Sequence, residues 1–223
     1  MLLSNSNQFE AHVKTLESLY PKVPSIGCIG MSYDTNITEN GVSVIAFLDD
    51  VSAAANVLEQ VSVMPVKYIE RLEKDVTKIG ASAQDTVCID FCSGNDACVL
   101  TTIYSCLKHR GIQLVGGTGD GGKVSANGKV YHDAVAYALV KNHGGRVKTY
   151  KENIYHKLGN YRFIASNTDR ANYIIGTLNG IPAKQVYKDI LHVTDEGILT
   201  QTFKNPFGKI DGNDTCIISI KEV

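Results

Sequence analysis

The sequence predicts an α+β fold, with mixed and antiparallel β-sheets flanked by helices and stacked as a layered sandwich. Three observations predict it. Amphipathic helical patterns stand at 7–20 and 65–81. Apolar runs with strand character lie between and after them. Asn127-Gly128 marks a two-residue hairpin turn, so at least one strand pair is antiparallel. The 223 residues suffice for one large domain or two small ones. With 43% hydrophobic and 20% charged residues, a packed core is expected.

Each element has its own reason. In "NQFEAHVKTLESLY", Phe9, Val13, Leu16 and Leu19 fall at helical spacing, and Pro21 and Pro24 end the helix. "SIGCIGMSY" and "GVSVIAFLDD" read as strands around the polar turn "DTNITENG". "VSAAANVLEQVSV" reads as a strand leading to a break at Pro65. "PVKYIERLEKDVTKIGA" is a helix with Val66, Ile69, Leu72, Val76 and Ile79 on one face, stopping near Gly80. "DTVCIDFCS" is a short apolar strand suited to a sheet centre, and "NDACVLTTIYSCLKHRG" a helix closed by basic residues and Gly111. "IQLVGG" is the next strand. From Val130 to Tyr137 two sets of side chains alternate, the pattern of one continuing strand.

Further on, "GRVKTYKENIYHKLGNYRFIASN" reads as two strands. "ANYIIGTLNGIPAKQVYKDIL" reads as a strand to Leu178, a turn at Asn179-Gly180 and a helix opening at Pro182. "GILTQTFKNPFGKIDGNDTCIISIKEV" has strand-like ends around Gly and Pro breaks. No repeat, linker or compositional domain boundary is visible.

Residues 116–122 raise the functional question, because five of the seven are glycine. Gly117, Gly119 and Gly122 spell G-x-G-x-x-G, and Gly117, Gly122 and Lys123 spell most of a P-loop. Both motifs hold phosphate on the N-terminus of the helix that follows. Here a hairpin follows instead, and Val124 stands where a P-loop needs Ser or Thr. The glycines are therefore either a tight bend or a backbone that another group approaches closely, such as a ligand.

Other chemistry is sparse. Net charge is −1 with no basic run, so neither nucleic acid nor an anionic membrane is an expected partner. No apolar run has the length of a membrane helix, and "MLLSNSNQFEAH" is not a secretion signal, so a cytoplasmic protein is expected. The six cysteines match no zinc spacing and read as thiols in a reducing compartment, with no metal expected. No G-x-S-x-G or H-E-x-x-H appears, and no catalytic residue is assigned. Cys28, between glycines, is either a reactive thiol or a small core residue. Asp90, inside an apolar strand, either binds a ligand amine or caps a neighbouring loop.

Several stretches together resemble one family. "PSIGCIGMS", "LVGGTGDGG", "GKVYHDAVAYAL" and "LNGIPAKQVYKDIL" are similar, in order and spacing, to the N-terminal part of the FIST domain. The resemblance covers 1–195, and 196–223 looks like the truncated start of the family's C-terminal part. It implies a prokaryotic cytosolic sensory module, of the kind found beside histidine kinases, diguanylate cyclases and methyl-accepting chemotaxis transducers. Small molecules such as amino acids are the implied ligands, and one branch binds haem through a histidine to sense nitric oxide.

On that reading the amides of Gly116, Gly117, Thr118 and Gly119 would take a ligand carboxylate. Asp90, Asp120 or Asp133 would take its ammonium, and Tyr33, Tyr131 and Tyr137 would wall the pocket. His132, with His156 second, is the candidate haem ligand of the alternative reading; otherwise no cofactor is expected. The expected partners are a small molecule and an output module of the same or an associated signalling protein, with a homodimer left open. A ligand-free interaction domain is the third reading.

Overall fold

A computed structural model describes residues 1–5, 7–30, 32–33, 37–38, 41–94, 96–150, 153–169, 174–211, 214–218 and 220. The chain divides into two compact units, 1–150 and 151–223.

The first unit holds β1 (Leu2–Ser4), α1 (Phe9–Leu19), β2 (Ile26–Ile29), β3 (Ser32–Tyr33), β4 (Ile37–Thr38) and β5 (Val42–Val44). It continues with β6 (Val51–Glu59), α2 (Ile69–Lys78), β7 (Thr86–Cys92), α3 (Asp96–Lys108) and β8 (Gln113–Thr118). It closes with β9 (Asp120–Ala126), β10 (Lys129–Tyr131) and β11 (Ala134–Asn142). One sheet has the order β10-β9-β2-β1-β5 and a second β6-β11-β7-β8, while β3 and β4 pair by themselves.

The layers follow from which face each side chain takes. On β11, Val135, Tyr137 and Leu139 join a core with Leu72 and Val76 of α2 and Ile103 and Leu107 of α3. The alternate residues Ala134, Ala136, Ala138 and Val140 face Ile26, Cys28 and Val124 of the five-stranded sheet. Four small or β-branched side chains on that face let the two sheets pack closely. On the outer face of the five-stranded sheet, Leu2 packs with Phe9 and Val13 of α1. The first unit is thus a sandwich of four layers, helix–sheet–sheet–helix. Leu58, Leu72, Ile103, Leu107 and Leu139 are at most 1% exposed. Burying each contributes about 1.5–3 kcal/mol.

Most predicted elements stand. β7 lies inside its sheet, between β11 and β8, and β6 is the strand expected at 51–63, ending at Glu59. Asn127 (φ 48°) and Gly128 (φ 77°) make the primed turn joining β9 to β10. The helix expected from Pro65 begins with a 3-10 turn, Pro65–Tyr68, and becomes α-helical at Ile69. The side chain of Val66, expected on its apolar face, lies outside the described residues, as do 34–36 and 39–40 of the predicted turn.

Four expectations are corrected. The alternation across 130–137 is not one strand. Asp133 (φ 45°) breaks it, and its carboxylate accepts from the Ser62 amide (3.0 Å) and hydroxyl (2.6 Å). The chain there leaves one sheet for the other. In "GVSVIAFLDD" only Val42–Val44 are strand, although Ile45 still exchanges backbone bonds with Met1. No strand forms between Gly145 and Ile164 among the described residues, because that stretch offers almost no face to bury and stays exposed. "GILTQTF" forms a short helix rather than a strand, with Ile198 and Thr202, four apart, both buried.

The second unit holds β12 (Ala165–Asp169), β13 (Ile174–Leu178), β14 (Ile181–Pro182), α4 (Ala183–Leu191), α5 (Ile198–Gln201), β15 (Phe207–Asp211) and β16 (Asp214–Ile218). β12-β13-β14 form an antiparallel sheet, and β15 and β16 a hairpin. Tyr187 of α4 donates to the Asn205 carbonyl (3.0 Å) and meets Phe207 edge-on at 5.3 Å. Lys184 and Lys188 both bond Asp195, holding its carboxyl down to about 2. No described helix is long and apolar enough to cross a membrane.

Candidate functional site

The glycine run lies at the carboxyl ends of β7 and β8, and most of it answers to the protein itself. Gly116 is the register partner of Asp90, and a Cβ there would sit 1.9 Å from the Asp90 carbonyl oxygen and 2.2 Å from Oδ1. A Cβ on Gly119 would meet Cys28 Cβ at 2.8 Å. Gly121 and Gly122 have φ of +68° and +66°, where side chains are disfavoured. Gly117 alone of the five has open space beside it. The close approach expected of a ligand is therefore made by Asp90 and Cys28.

The register brings some of the other predicted residues to the same end of the sandwich. The Ser93 amide donates to the Ala134 carbonyl, the Ala134 amide to Ser93 Oγ (2.8 Å), and the Gly119 amide to the Cys92 carbonyl (2.8 Å). This brings 131–133 near 116–120, although most already have work. Asp90 is 1% exposed, on the helix-facing side, and accepts from the Cys92 thiol at 3.4 Å. Asp133 fixes the turn at Ser62, Asp120 pairs with Ile29 at the irregular end of β9, and Thr118 ends β8. Tyr131 is half-buried, and burial followed by the Glu59 charge raises its phenol. His132 is exposed at the bend, not within an apolar strand as expected. His156 is exposed in the second unit. The Tyr33 side chain lies outside the described residues.

Two openings of similar size stand among the described residues: one of about 390 Å³ lined by Glu10, Lys14, Lys129 and Tyr131, and a more polar notch of about 410 Å³ between β6 and α2. The edge strand β6 places Asn56 opposite Tyr137 of β11. α2 lies across both, held by Leu72 and Val76, and so carries Asp75 over the pair. Asp75 Oδ2 accepts from Tyr137 Oη at 2.6 Å and from Asn56 Nδ2 at 3.2 Å. Arg71 donates to the Val57 carbonyl at 2.5 Å, lies 3.7 Å from Glu59 and covers the Tyr68 ring at 4.8 Å. Lys67 leans over the same ring at 5.3 Å. Lys67 and Lys74, both lining the notch, have no carboxylate within ion-pair distance among the described residues.

Of these residues, the sequence reading singled out only Tyr137, as a pocket wall. The available signals were two polar residues on apolar faces. Asn56 interrupts "VSAAANVL", and Asp75 falls beside Val76 on the stripe from Leu72 to Ile79.

Four of the thiols, Cys28, Cys88, Cys92 and Cys106, are buried rather than poised. Burial, and after it the Asp120 charge, pushes Cys28 up to about 12, and burial raises Cys88 and Cys106. Cys28 is thus the core residue of the two readings. No group of three His, Cys, Asp or Glu among the described residues could hold a metal. Alkylation with iodoacetamide at pH 8, read by peptide mass mapping, is expected to modify exposed Cys216 and leave Cys28, Cys88, Cys92 and Cys106 intact in the folded protein. Fast labelling of Cys28 would contradict its placement.

The FIST N domain family model matches residues 1–181. No curated protein matches the chain.

Proposed function

The chain belongs to the FIST N domain family, a family of sensory signal-transduction domains, and from that premise we propose that it senses a small polar molecule of the amino-acid class in the notch between β6 and α2. The observation that carries this reading is the mixed charge of the notch. Asp75 offers an acceptor at one point, and Lys67 and Lys74 offer donors at others, around the wall made by Tyr68. A zwitterion carries the complementary pair of charges. No catalytic step is required, and the bound molecule acts as a signal.

The route of that signal begins at Asp75. Tyr137 is fully buried in the strand at the middle of the unit, and its hydroxyl bonds the same carboxylate that faces the ligand. A ligand on Asp75 alters how α2 is held to the sheet, and an output module in the cytoplasm, such as that of a chemotaxis transducer, reads the change. Haem ligation would need an imidazole in an apolar pocket, and the exposed position of His132 favours the polar ligand instead.

Thermal denaturation against a panel of amino acids, small carboxylates and haemin tests the proposal. A ligand that binds only the folded protein raises Tm with concentration. One amino acid is expected to do so saturably. A Soret band with haemin and no amino-acid response would replace this reading with the haem one.

A further inference from the structure

We infer that the notch selects its ligand by a primary ammonium group, with Asp75 as acceptor and Tyr137 and Asn56 as the residues that position it. This rests on the reading above. Tyr137 is fully buried and reaches the notch only through the bond from its hydroxyl to Asp75. Burial and the bond to Asp75 both raise that phenol, so it stays protonated and donates. The amide of Asn56 has one orientation, because its Oδ1 accepts from the Val57 amide at 3.0 Å. Its Nδ2 therefore donates to Asp75.

Both donors fall on Oδ2, and Oδ1 has no partner among the described residues. Two donors on one oxygen hold the rotamer of the carboxylate. The other oxygen can only accept.

No cation lies within ion-pair distance of Asp75 among the described residues. Arg71 is committed to the Val57 carbonyl and Glu59. Lys67 lies over Tyr68. Lys74 precedes Asp75 in the helix, and adjacent helical residues do not face each other. The notch thus holds a carboxylate with half its capacity open. A cationic donor satisfies it with a charge-assisted bond, whereas a ligand carboxylate or carbonyl at that point is repelled. An α-hydroxy acid in place of the amino acid keeps a donor and loses the charge. An N-acetyl amino acid loses the charge and adds bulk.

Calorimetric titration tests this with three probes: the amino acid giving the largest thermal shift, its N-acetyl derivative and its α-hydroxy analogue. The wild type is expected to bind the first at least about tenfold more tightly than either of the others, the scale of a hydrogen bond to a charged group. Asp75→Asn is expected to abolish that preference. Tyr137→Phe and Asn56→Ala are expected to narrow the ratio of amino acid to hydroxy acid, a readout that a purely structural role would leave alone. Should Tyr137→Phe fail to fold, Asn56→Ala carries the test, since it addresses the same oxygen. If all three probes bind equally, the selectivity is overturned while the sensing reading survives. If Asp75→Asn loses the preference but Asn56→Ala and Tyr137→Phe keep it, the positioning roles are wrong. If no amino acid binds the wild type, both readings fall.

Discussion

Replacing Gly116 with alanine is expected to destabilise the first unit by about 3 kcal/mol or more, the upper end of what overpacking does. The new Cβ would overlap the Asp90 carbonyl oxygen at 1.9 Å and its side-chain Oδ1 at 2.2 Å. Neither atom can retreat cheaply. The carbonyl belongs to β7, an inner strand of its sheet, and the side chain is packed between Cys88 and Cys92 in the core beneath α2 and α3. The strain is relieved only if β8 pulls away from β7 and gives up their parallel register. Gly117→Ala is the control. Its added methyl meets nothing, so its effect is expected to stay within about 0.5 kcal/mol, as for most surface changes. Urea unfolding of both variants decides the matter. If Gly116→Ala is as stable as Gly117→Ala, then Asp90 does not sit against β8 as described, and the glycine run returns to being a candidate ligand cradle.

That contrast shows why the glycine run misled the sequence reading. A stretch with five glycines in seven residues says that something approaches the backbone, and it does not say what. Asp90 stands out in the sequence as a lone carboxylate in an apolar strand, but pairing it with Gly116 requires the register of β7 and β8. Their pairing spans a helix, and no local pattern encodes it. What local pattern does encode came through. Asn127-Gly128 makes the expected hairpin, and Leu72 and Val76 form the buried stripe of α2. The small residues of β11 face the five-stranded sheet. Errors arose where periodicity was present without a common partner. Val130 to Tyr137 alternates throughout, but its two halves pair with different sheets, and only the left-handed Asp133 marks the change. The stretch after Gly145 has apolar residues, but among the described residues no strand pairs with it, so it is not drawn into a sheet. The notch was least legible, because Asn56, Asp75 and Tyr137 come from three elements and each reads alone as an ordinary core-flanking residue.

Asp75→Ala is expected to cost about 2–3 kcal/mol, because it strands buried polar atoms as well as removing bonds. The hydroxyl of Tyr137 loses the acceptor at 2.6 Å, and Asn56 Nδ2 loses the one at 3.2 Å. Burial leaves the phenol little access to a replacement. Tyr137→Phe is the milder change, near 1 kcal/mol by the same reasoning, since it removes the donor together with its need for an acceptor and leaves Asn56 on Asp75. The double variant is therefore expected to be clearly more stable than the sum of the two single effects predicts, by about 1 kcal/mol, because part of the Asp75→Ala penalty is the orphaned hydroxyl that Tyr137→Phe removes. Chemical denaturation of the four proteins completes the cycle. Strict additivity would mean that the two groups do not meet. The pair would then tie α2 to the sheet in no measurable way, and a ligand on Asp75 would have no path from the notch to the central strand.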